Sequence, residues 1–244
     1  MTKFYGYTGE FSIRTSEIDT QKRIKIASLI KLMQETSMQN VLSLKLSVWD
    51  LEDEAMSWVL LKKDISVNSL PTVGETINIK TYPAGFERIF AYRDFIVYNS
   101  SLDIIITASS VWGLLNTRTR KLIKIPPYEF YNVIPDDRLD RPSFKLSENV
   151  KQHYSHKSPI LWSHLDWNNH VNNIVLVQKM LDVIPPDFLY QHSIHRLSIQ
   201  FKNESILGDE LVSFCEINSQ EVSHIIKRAS DNAVIALAKT IWTA

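Results

Sequence analysis

The sequence predicts an α+β fold built from two tandem copies of one unit, each a long helix followed by antiparallel strands that wrap it. Three observations lead to this prediction: apolar residues at helical spacing in two places, strand-like runs after each of them, and landmarks that recur along the chain. The chain has 244 residues, which is enough for one large domain or two small ones.

Two stretches show the apolar spacing of an amphipathic helix. In the first copy this spacing predicts a helix from about Ile24 to Leu44. In the second copy it runs from Ile174 to Ile184, and the pair Pro185-Pro186 cannot continue a helix.

Runs rich in β-branched and aromatic residues follow each helix and predict strands. In the first copy these runs are Ser57–Val67, Glu75–Pro83, Ile89–Tyr98 and Asp103–Leu115. In the second copy they are Ile194–Lys202, Glu210–Ile217, Val222–Ala229 and Val234–Thr243. The segment Ser158–Trp162, before the second helix, is strand-like as well.

Three landmarks occur twice in the same order. IDTQKRIKIASLIKLM, which begins at Ile18, resembles LDWNNHVNNIVLVQKM, which begins at Leu165. Further on, PTVGE resembles SILGDE, and near the end of each copy ASSVW resembles AKTIW. The offset between the copies shrinks slowly along the chain, which indicates a duplication.

A stretch rich in proline and charge separates the copies and is typical of a surface connector. It contains Pro126, Pro127, Pro135 and Pro142. We therefore expect an N-terminal repeat over residues 1–125, a linker over 126–150 and a C-terminal repeat over 151–244.

Composition excludes several classes of protein. Lys+Arg and Asp+Glu both number 27, and a chain without a basic excess is a poor candidate for non-specific nucleic-acid binding. Cys215 is the one cysteine, so an internal disulfide and a cysteine-based zinc site are excluded. The 6 glycines form no phosphate-binding or serine-hydrolase motif. Residues 1–15 lack a secretion signal and no apolar run is long enough to span a bilayer, so we expect a cytoplasmic protein.

Polar residues occupy alternate positions before the second helix: Asp166, Asn168 and His170. In an extended segment this spacing puts the three side chains on one side of the chain. An imidazole can transfer protons near neutral pH, and a carboxamide together with the N–H groups of a helix N-terminus can stabilise an oxyanion. The three residues are therefore a candidate catalytic set.

Helix capping is the alternative role for this polar string. It explains Asn172 or Asn173 at the start of the helix. The first copy, however, keeps only the aspartate, Asp19, and has Gln21 and Arg23 where the second copy has the amide and the imidazole. A purely structural motif would be expected in both copies.

Glu204 is a second candidate, because it ends the strand after the second helix and precedes the turn at Gly208. The first copy has Leu70 at the corresponding position and so has no acid there. By itself, Glu204 also fits a solvated turn residue.

These strings resemble the acyl-acyl-carrier-protein (acyl-ACP) thioesterases, the group that ends fatty-acid synthesis in plants and has bacterial relatives. The resemblance covers nearly the whole chain and is carried by Leu32–Val41, Pro71–Pro83, Ala108–Pro126 and Leu165–Asn173. The D-x-N-x-H-V-N-N motif, the most specific of them, is intact. The resemblance implies two tandem hot-dog folds, a double hot-dog, and hydrolysis of fatty acyl-ACP to free fatty acid and ACP.

The resemblance also implies that Asp166, Asn168, His170 and Glu204 are active-site residues. We expect a hydrolase without cofactor or metal, whose partner is the acyl carrier protein (ACP). Because fusing two copies satisfies within one chain the pairing that single hot-dog domains achieve as dimers, monomer and homodimer are both open.

One position departs from the family pattern. Plant members commonly place a cysteine directly after the glutamate, whereas this chain has Ser205. No serine-hydrolase elbow surrounds Ser205, and Cys215 is expected to pack inside the sheet. A Cys-His mechanism is therefore unsupported.

Hydrolysis by a carboxylate is the resulting expectation. Glu204 either activates water with the help of His170 or attacks the thioester itself. Asn168 and helix N-terminal amides would hold the oxyanion, and Asp166 would orient Asn168 and His170.

The carrier protein is strongly acidic, so a basic docking surface is expected. The densest basic run is Arg118, Arg120, Lys121 and Lys124. A solvated loop after a strand is the alternative. The first copy is expected to hold the acyl chain between its helix and sheet. Candidates by residue type, which fit an ordinary core equally well, are Met33, Met38, Trp58 and Trp112.

Two other kinds of function stay open. One is a hot-dog thioesterase or hydratase that acts on acyl-CoA, and the other is an acyl-binding regulator without turnover. A metal site is not expected, because the histidine pairs His153/His156 and His192/His195 lack an accompanying HExxH motif.

Overall fold

The chain divides into two units, residues 1–142 and 143–244, in a computed structural model that describes residues 5–128 and 138–244. Of the linker prolines, Pro135 lies outside the described residues. In the described part of the chain, no helix combines the length and the apolar character that a membrane crossing requires.

The N-terminal unit is an antiparallel sheet with one long helix. Its elements are β1 (Tyr7–Ser12), α1 (Ile26–Ser43), α2 (Val48–Glu52), β2 (Met56–Val67), β3 (Thr76–Glu87), β4 (Phe90–Tyr98), β5 (Ile104–Asn116) and β6 (Lys121–Ile123). The strands pair in the order β1-β3-β4-β5-β2, and β6 pairs with the end of β5.

Helix α1 lies on the sheet through the face that the sequence pattern predicts. Leu29 and Met33 are fully buried, and Ile26 and Ile30 on the same face are nearly so. The helix ends where Lys45 takes a left-handed φ of 54° and its N–H donates to the carbonyl of Leu42.

The C-terminal unit repeats this arrangement. Its elements are β7 (Tyr154–Pro159), α3 (Asn173–Leu181), α4 (Pro186–Gln191), β8 (Ser193–Phe201), β9 (Glu210–Asn218), β10 (Glu221–Arg228) and β11 (Val234–Thr243). The strands pair in the order β7-β9-β10-β11-β8, which is the order of the N-terminal unit with each strand replaced by its counterpart. The predicted α+β fold of two tandem helix-and-sheet repeats is confirmed.

The repeat extends to individual hydrogen bonds. The indole N–H of Trp112 donates to the hydroxyl of Ser110 at 2.9 Å, and the indole N–H of Trp242 donates to the hydroxyl of Thr240 at 2.8 Å. These residues belong to the ASSVW and AKTIW landmarks, so the sequence match reflects equivalent positions on the inner face of each sheet.

The turns before β3 and β9 also match. Gly74 and Gly208 have φ values of 86° and 87°, a conformation that favours glycine. The carboxylates of Glu75 and Asp209 each accept a backbone N–H from the residue three positions earlier, at 2.7 and 3.0 Å.

The structure differs from the sequence prediction at several elements. Strands β1 and β6 and the short helices α2 and α4 were not predicted. The segment Ser158–Trp162 is not one strand, because β7 ends at Pro159 and a short 3-10 helix covers Trp162–His164. The second helix also ends earlier than expected, at Leu181, and Pro186 then occupies the first position of α4, where its missing N–H costs nothing.

Candidate active site

The loop before α3 is shaped by the carboxylate of Asp166. Its Oδ1 accepts the backbone N–H groups of Asn168 at 2.8 Å and His170 at 3.2 Å, and its own N–H donates to the carbonyl of His170 at 2.8 Å. Asn169 takes a left-handed φ of 59° inside this turn. The expectation of an extended segment with three side chains on one side is therefore wrong, because the aspartate folds the segment into a turn by bonding its amides.

The N-terminal unit contains the same loop without the same chemistry. Asp19 accepts the N–H groups of Gln21 at 2.8 Å and Arg23 at 3.0 Å, its N–H donates to the carbonyl of Arg23 at 2.8 Å, and Lys22 has a φ of 66°. The guanidinium of Arg23 then turns back onto Asp19, at 3.2 Å. The aspartate is thus a loop-forming residue in both units, and the side chains that follow it are what differ.

The imidazole of His170 lies between Asn168 and Glu204. Its Nδ1 is 3.2 Å from Asn168 Nδ2, and its Nε2 is 3.4 Å from Glu204 Oε2. An amide nitrogen can only donate, so Nδ1 accepts and the ring proton of the neutral histidine sits on Nε2, facing the carboxylate. The side chain of His170 is 23% exposed and that of Glu204 is 40% exposed, so substrate and water can reach both.

Backbone contacts connect the Glu204 segment to the His170 loop. The N–H of Val171 donates to the carbonyl of Ser205 at 2.8 Å, and His170 forms an isolated β-bridge with Ile206. These contacts hold the carboxylate and the imidazole, 34 residues apart in sequence, side by side.

Arg228, at the end of β10, supports the same segment. Its Nη1 lies 3.3 Å from the carbonyl oxygen of Glu204 and 3.3 Å from Asp209 Oδ2, while its other nitrogens bind Asp231 at 3.1 Å. Burial acts to raise the pKa of Asp209, but hydrogen bonds from Ser205, the Ile206 amide and Arg228 outweigh it and lower that pKa. Sequence reasoning missed Arg228.

Neither the serine nor the cysteine is placed as a nucleophile. Ser205 is 2% exposed, and its hydroxyl donates to Asp209 at 2.7 Å. Cys215 is fully buried in β9, and burial raises the pKa of its thiol to about 11, so the thiolate is suppressed. Among the predicted site residues, Glu204 and His170 are the pair whose side chains contact each other and remain partly exposed.

The N-terminus of α3 begins just after the histidine. Asn172 is its cap, since its Oδ1 accepts the N–H of Ile174 at 2.9 Å. The positive end of the helix dipole therefore lies within two residues of His170.

Exposed apolar side chains flank the pair. They are Leu161, Trp162, Trp167, Ile206 and Leu207, each between 50 and 75% exposed. We call this set the apolar rim. The corresponding residues of the N-terminal unit are Arg14, Thr15, Thr20, Thr72 and Val73, four of which are polar. Comparing the two copies position by position would have found the rim in the sequence.

The proposed docking residues lie together on the surface of the N-terminal unit. Arg118 and Arg120 are in the turn between β5 and β6, Lys121 begins β6 and Lys124 follows it, and all four are exposed. The turn is held by Asn116, whose side chain accepts the N–H groups of Arg118 and Thr119.

The candidates for the acyl site behave mostly as core residues. Met33 is fully buried and Met38 is partly buried. Trp58 and Trp112 pack against a cluster that contains Leu114, and both indole N–H groups have partners.

Histidines elsewhere have ordinary local partners. His153 accepts the N–H of Ile217 at 3.3 Å, and His192 stacks on Phe188 with ring centroids 4.1 Å apart. Within the described ranges, 5–128 and 138–244, no three His, Cys, Asp or Glu side chains are grouped so as to hold a metal ion.

The curated proteins that this chain resembles include plant acyl-carrier-protein thioesterases. The chain is 28% identical over 254 residues to the palmitoyl-acyl carrier protein thioesterase of Cuphea hookeriana, covering 95% of this chain and 61% of the relative. It is 24% identical over 254 residues to a dodecanoyl-[acyl-carrier-protein] hydrolase of Umbellularia californica, covering 95% and 66%. The chain thus spans about three-fifths to two-thirds of the length of these curated relatives.

Solved structures share the double hot-dog fold. An acyl-ACP thioesterase from Bacteroides thetaiotaomicron superposes with a TM-score of 0.87 at 23% identity, covering 98% of both chains. The 12:0-ACP thioesterase from Umbellularia californica superposes with a TM-score of 0.86 at 21% identity, covering 99% of this chain and 98% of that one.

Family models match both units. The acyl-ACP thioesterase N-terminal domain matches residues 5–134, and the acyl-ACP thioesterase C-terminal domain matches residues 147–244. Together with the two loops built on Asp19 and Asp166, these matches establish that the chain belongs to the acyl-ACP thioesterase family.

Proposed function

We propose that this protein hydrolyses the thioester of fatty acyl-ACP to free fatty acid and ACP, and so ends fatty-acid elongation. The observation that carries the proposal is the contact of His170 Nε2 with Glu204 Oε2 at 3.4 Å in the C-terminal unit. Catalytic hydrogen bonds are often long before substrate binds, so this distance suits a working pair. Family membership supplies the substrate class.

In the simpler mechanism Glu204 acts as the base. It accepts a proton from water while the hydroxide adds to the thioester carbonyl, which gives a tetrahedral oxyanion. When the oxyanion collapses, the carbon–sulfur bond breaks, and Glu204 returns the proton to the leaving thiolate, while the Nε2–H of His170 stabilises the carboxylate. The products are a carboxylic acid and the carrier thiol, and both side chains recover their starting states.

The oxyanion needs donors that are fixed before the reaction. Asn168 Nδ2 gives one hydrogen to His170 Nδ1 and keeps a second. That second N–H and the positive end of α3 are the proposed donors. Asp166 contributes indirectly, because its carboxylate is engaged with the backbone of the loop.

The alternative mechanism has Glu204 attack the thioester carbon directly. The carbon–sulfur bond breaks, so that a mixed anhydride forms between the acyl group and Glu204 while the carrier leaves as the thiolate. Water then cleaves the anhydride, and the proton released goes to the thiolate. Hydrolysis in ¹⁸O-water followed by mass spectrometry of the peptide that contains Glu204 tests this mechanism. Label in the glutamate shows that it is the nucleophile and that water attacks its carboxyl carbon, whereas an unlabelled glutamate after many turnovers leaves the base mechanism or water attack on the acyl carbon.

The apolar rim is the proposed surface that contacts the carrier protein. Four of the five exposed apolar side chains of the rim have polar counterparts in the N-terminal unit, which suggests a binding surface beside His170 and Glu204. The basic turn at Arg118 and Arg120 is the competing surface, and the acidic character expected of the carrier favours it.

The test is a panel of acyl-ACP and acyl-CoA thioesters of graded chain length. Glu204→Ala and His170→Ala are each expected to lower kcat by two or more orders of magnitude, about 3 kcal/mol or more of transition-state stabilisation. Gln21→Ala, at the position that corresponds to Asn168, is the control and leaves kcat unchanged. A preference for acyl-CoA, or full activity in both active-site variants, contradicts the proposal.

A further inference from the structure

Lys63 is a buried lysine on the inner face of the N-terminal sheet. The side chain is only 4% exposed. Its register partner is the fully buried Ser110 of β5, and a β-bulge with Leu61 as the extra residue lies just before it, between Leu60 and Lys62. Lys63 then shares its face with the fully buried Ile65.

A second buried cation lies in the same row. Lys63 and Arg93 are both register partners of Ser110, one on each side of β5. Neighbouring strands are about 4.8 Å apart, so Lys63 and Arg93 stand roughly 10 Å apart across the inner face. Arg93 is 8% exposed.

The two cations are not equally satisfied. Arg93 Nη1 donates to Asn40 Oδ1 on α1 at 2.8 Å and to Thr81 Oγ1 at 3.2 Å. The ammonium of Lys63 lies over the ring of Phe95, 4.3 Å from its centroid. Within residues 5–128 and 138–244, we find neither a hydrogen-bond acceptor nor a carboxylate on Lys63 Nζ.

Burial of this charge is unfavourable. Desolvation, with the like charge of Arg93 adding to it, lowers the pKa of Lys63 to about 7. Asp94 does not relieve it, because neighbouring residues of a strand point to opposite faces and Asp94 follows Arg93 in β4.

The fold itself does not require these cations. In the C-terminal unit, Thr240 corresponds to Ser110, and its register partner in β8 is Leu197. On the other side, Val222 of β10 lies against Thr240, where Arg93 lies against Ser110. Leu197 and Val222 are buried to 1% and 0% exposure, so the same architecture is built with two aliphatic residues.

We propose that the interior between α1 and the N-terminal sheet binds a carboxylate at the end of an aliphatic chain, with Lys63 as its counter-ion. The described neighbours of the cation are apolar, since the ring of Phe95 lies under it and the fully buried Ile65 is next on its face of β2. An aliphatic chain fits such a surface, and a carboxylate supplies an acceptor that none of the described residues provides to Lys63. That the chain is a fatty acyl group rests on the proposed function.

Two kinds of molecule would present a carboxylate on an aliphatic chain to Lys63. One is the free fatty acid formed by the reaction, which would bind as an inhibitor. The other is an acyl chain whose far end carries a second carboxylate, which would bind as a substrate.

The first experiment measures binding directly, by calorimetry on the full chain with decanoate and with decanol. The wild type is expected to bind decanoate at least tenfold more tightly than decanol. Lys63→Leu is expected to lose that preference, and Lys63→Arg to keep most of it. Leu197→Met, at the corresponding position of the other unit, is the control and binds as the wild type does. A Lys63→Leu variant that binds decanoate as tightly as the wild type overturns the proposal.

Thermal unfolding separates this role from a structural one. Removing a buried charge that no carboxylate of the described residues neutralises is expected to raise the melting temperature of Lys63→Leu, so the variant folds while losing the ligand. A lower melting temperature would mean that the lysine supports the fold, which contradicts the proposal.

Kinetics then identifies the source of the carboxylate. Two ten-carbon acyl-ACP substrates are compared, one whose chain ends in a methyl group and one whose chain ends in a carboxylate. If Lys63→Leu loses kcat/KM for the carboxylate-ended chain alone, the ligand is a substrate. Relief of inhibition by free decanoate identifies the product. If neither is seen, the proposal fails. Decanoate binding is also measured with Glu204→Ala, which is expected not to hydrolyse thioesters. This measurement keeps the binding test independent of the proposed activity.

Discussion

Asp19 and Asp166 make the same three hydrogen bonds in the two units of the chain, each folding the backbone two and four residues ahead into one turn. The two loops share their backbone hydrogen bonds and differ in the side chains that follow the aspartate. In one unit an arginine closes back onto the aspartate, and in the other a histidine faces a glutamate.

This equivalence predicts that the two aspartates contribute alike to stability but not to activity. Asp19→Ala and Asp166→Ala are each expected to lower the free energy of unfolding by about 1–3 kcal/mol, because buried or partly buried amides lose their acceptor. Only Asp166→Ala is expected to lower kcat, by misplacing His170. Urea unfolding and steady-state kinetics measure the two effects. An Asp166→Ala protein with wild-type stability and no activity would instead assign the carboxylate to the chemistry.

Arg228 is predicted to position Glu204 without contacting substrate. Its bond to the Glu204 carbonyl fixes the backbone that carries the carboxylate. Arg228→Met is expected to lower kcat about 10-fold or more, roughly 1.4 kcal/mol, with KM little changed, and Arg228→Lys to recover part of the loss.

The control for Arg228 is Asp231→Asn. Asp231 pairs with the same guanidinium but lies on its exposed side, away from Glu204. The Asp231→Asn variant should keep kcat within about twofold of the wild-type value, because exposed ion pairs contribute little to stability. Equal losses of kcat in Arg228→Met and Asp231→Asn would show that the ion pair only stabilises β10.

The buried histidine of the C-terminal unit is predicted to make stability depend on pH. His224 is 1% exposed, and burial lowers its pKa to about 4. The unfolded state binds a proton near pH 6.5 and the folded state does not, so stability is lost as the pH falls from about 6.5 to 4, by about 3 kcal/mol in total.

The matched variant is His224→Phe, because the N-terminal unit has Phe95 at the corresponding position. As the pH falls from 6.5 to 4, the unfolding free energy of His224→Phe should rise steadily relative to that of the wild type. His195→Gln, an exposed histidine, should leave the slope unchanged. A parallel loss of stability in His224→Phe and in the wild type would place the acid-sensitive group elsewhere.

Carrier recognition can be assigned by comparing two surfaces. Trp162→Ala with Trp167→Ala removes the two tryptophans of the apolar rim and is expected to raise KM for acyl-ACP about 10-fold, while a short synthetic thioester is hydrolysed as before. Val73→Ala, at the N-terminal counterpart of Leu207, is the control.

The competing surface is tested by Arg118→Glu with Arg120→Glu. If the basic turn docks the carrier, this variant raises KM for acyl-ACP selectively and does so more at low salt. If the tryptophan variant leaves KM for acyl-ACP at the wild-type value, the rim has no part in recognition.

The sequence predicted α1, α3 and most strands because their faces are set by local periodicity, and it missed the short helices α2 and α4. The double landmark ASSVW and AKTIW was informative for the same reason, since Trp112 and Trp242 occupy one position in a repeated sheet. Strand β1 was missed because Gly9 and Glu10 weaken its alternation, and its pairing with β3 comes from tertiary contact.

The candidate site was predicted as a group of residues but not as a geometry. Sequence spacing placed Asp166 with His170, yet the turn that the aspartate creates could be seen only from its hydrogen bonds. Arg228 was invisible because it reaches Glu204 across strands, and no local pattern marks such a contact. Lys63 looked like one of three charged residues in a row, and only its pairing with the buried Ser110 shows that it is the one that faces inward.

The bulge at Leu61 does not itself set the polarity of the N-terminal interior. Without Leu61, Leu60 would still lie against Trp112 and Lys63 against Ser110, so both would keep their present side of β2. Two exchanges of amino acids, at Lys63 and Arg93, with no change of chain length, therefore separate this ionic lining from the aliphatic lining of the C-terminal unit.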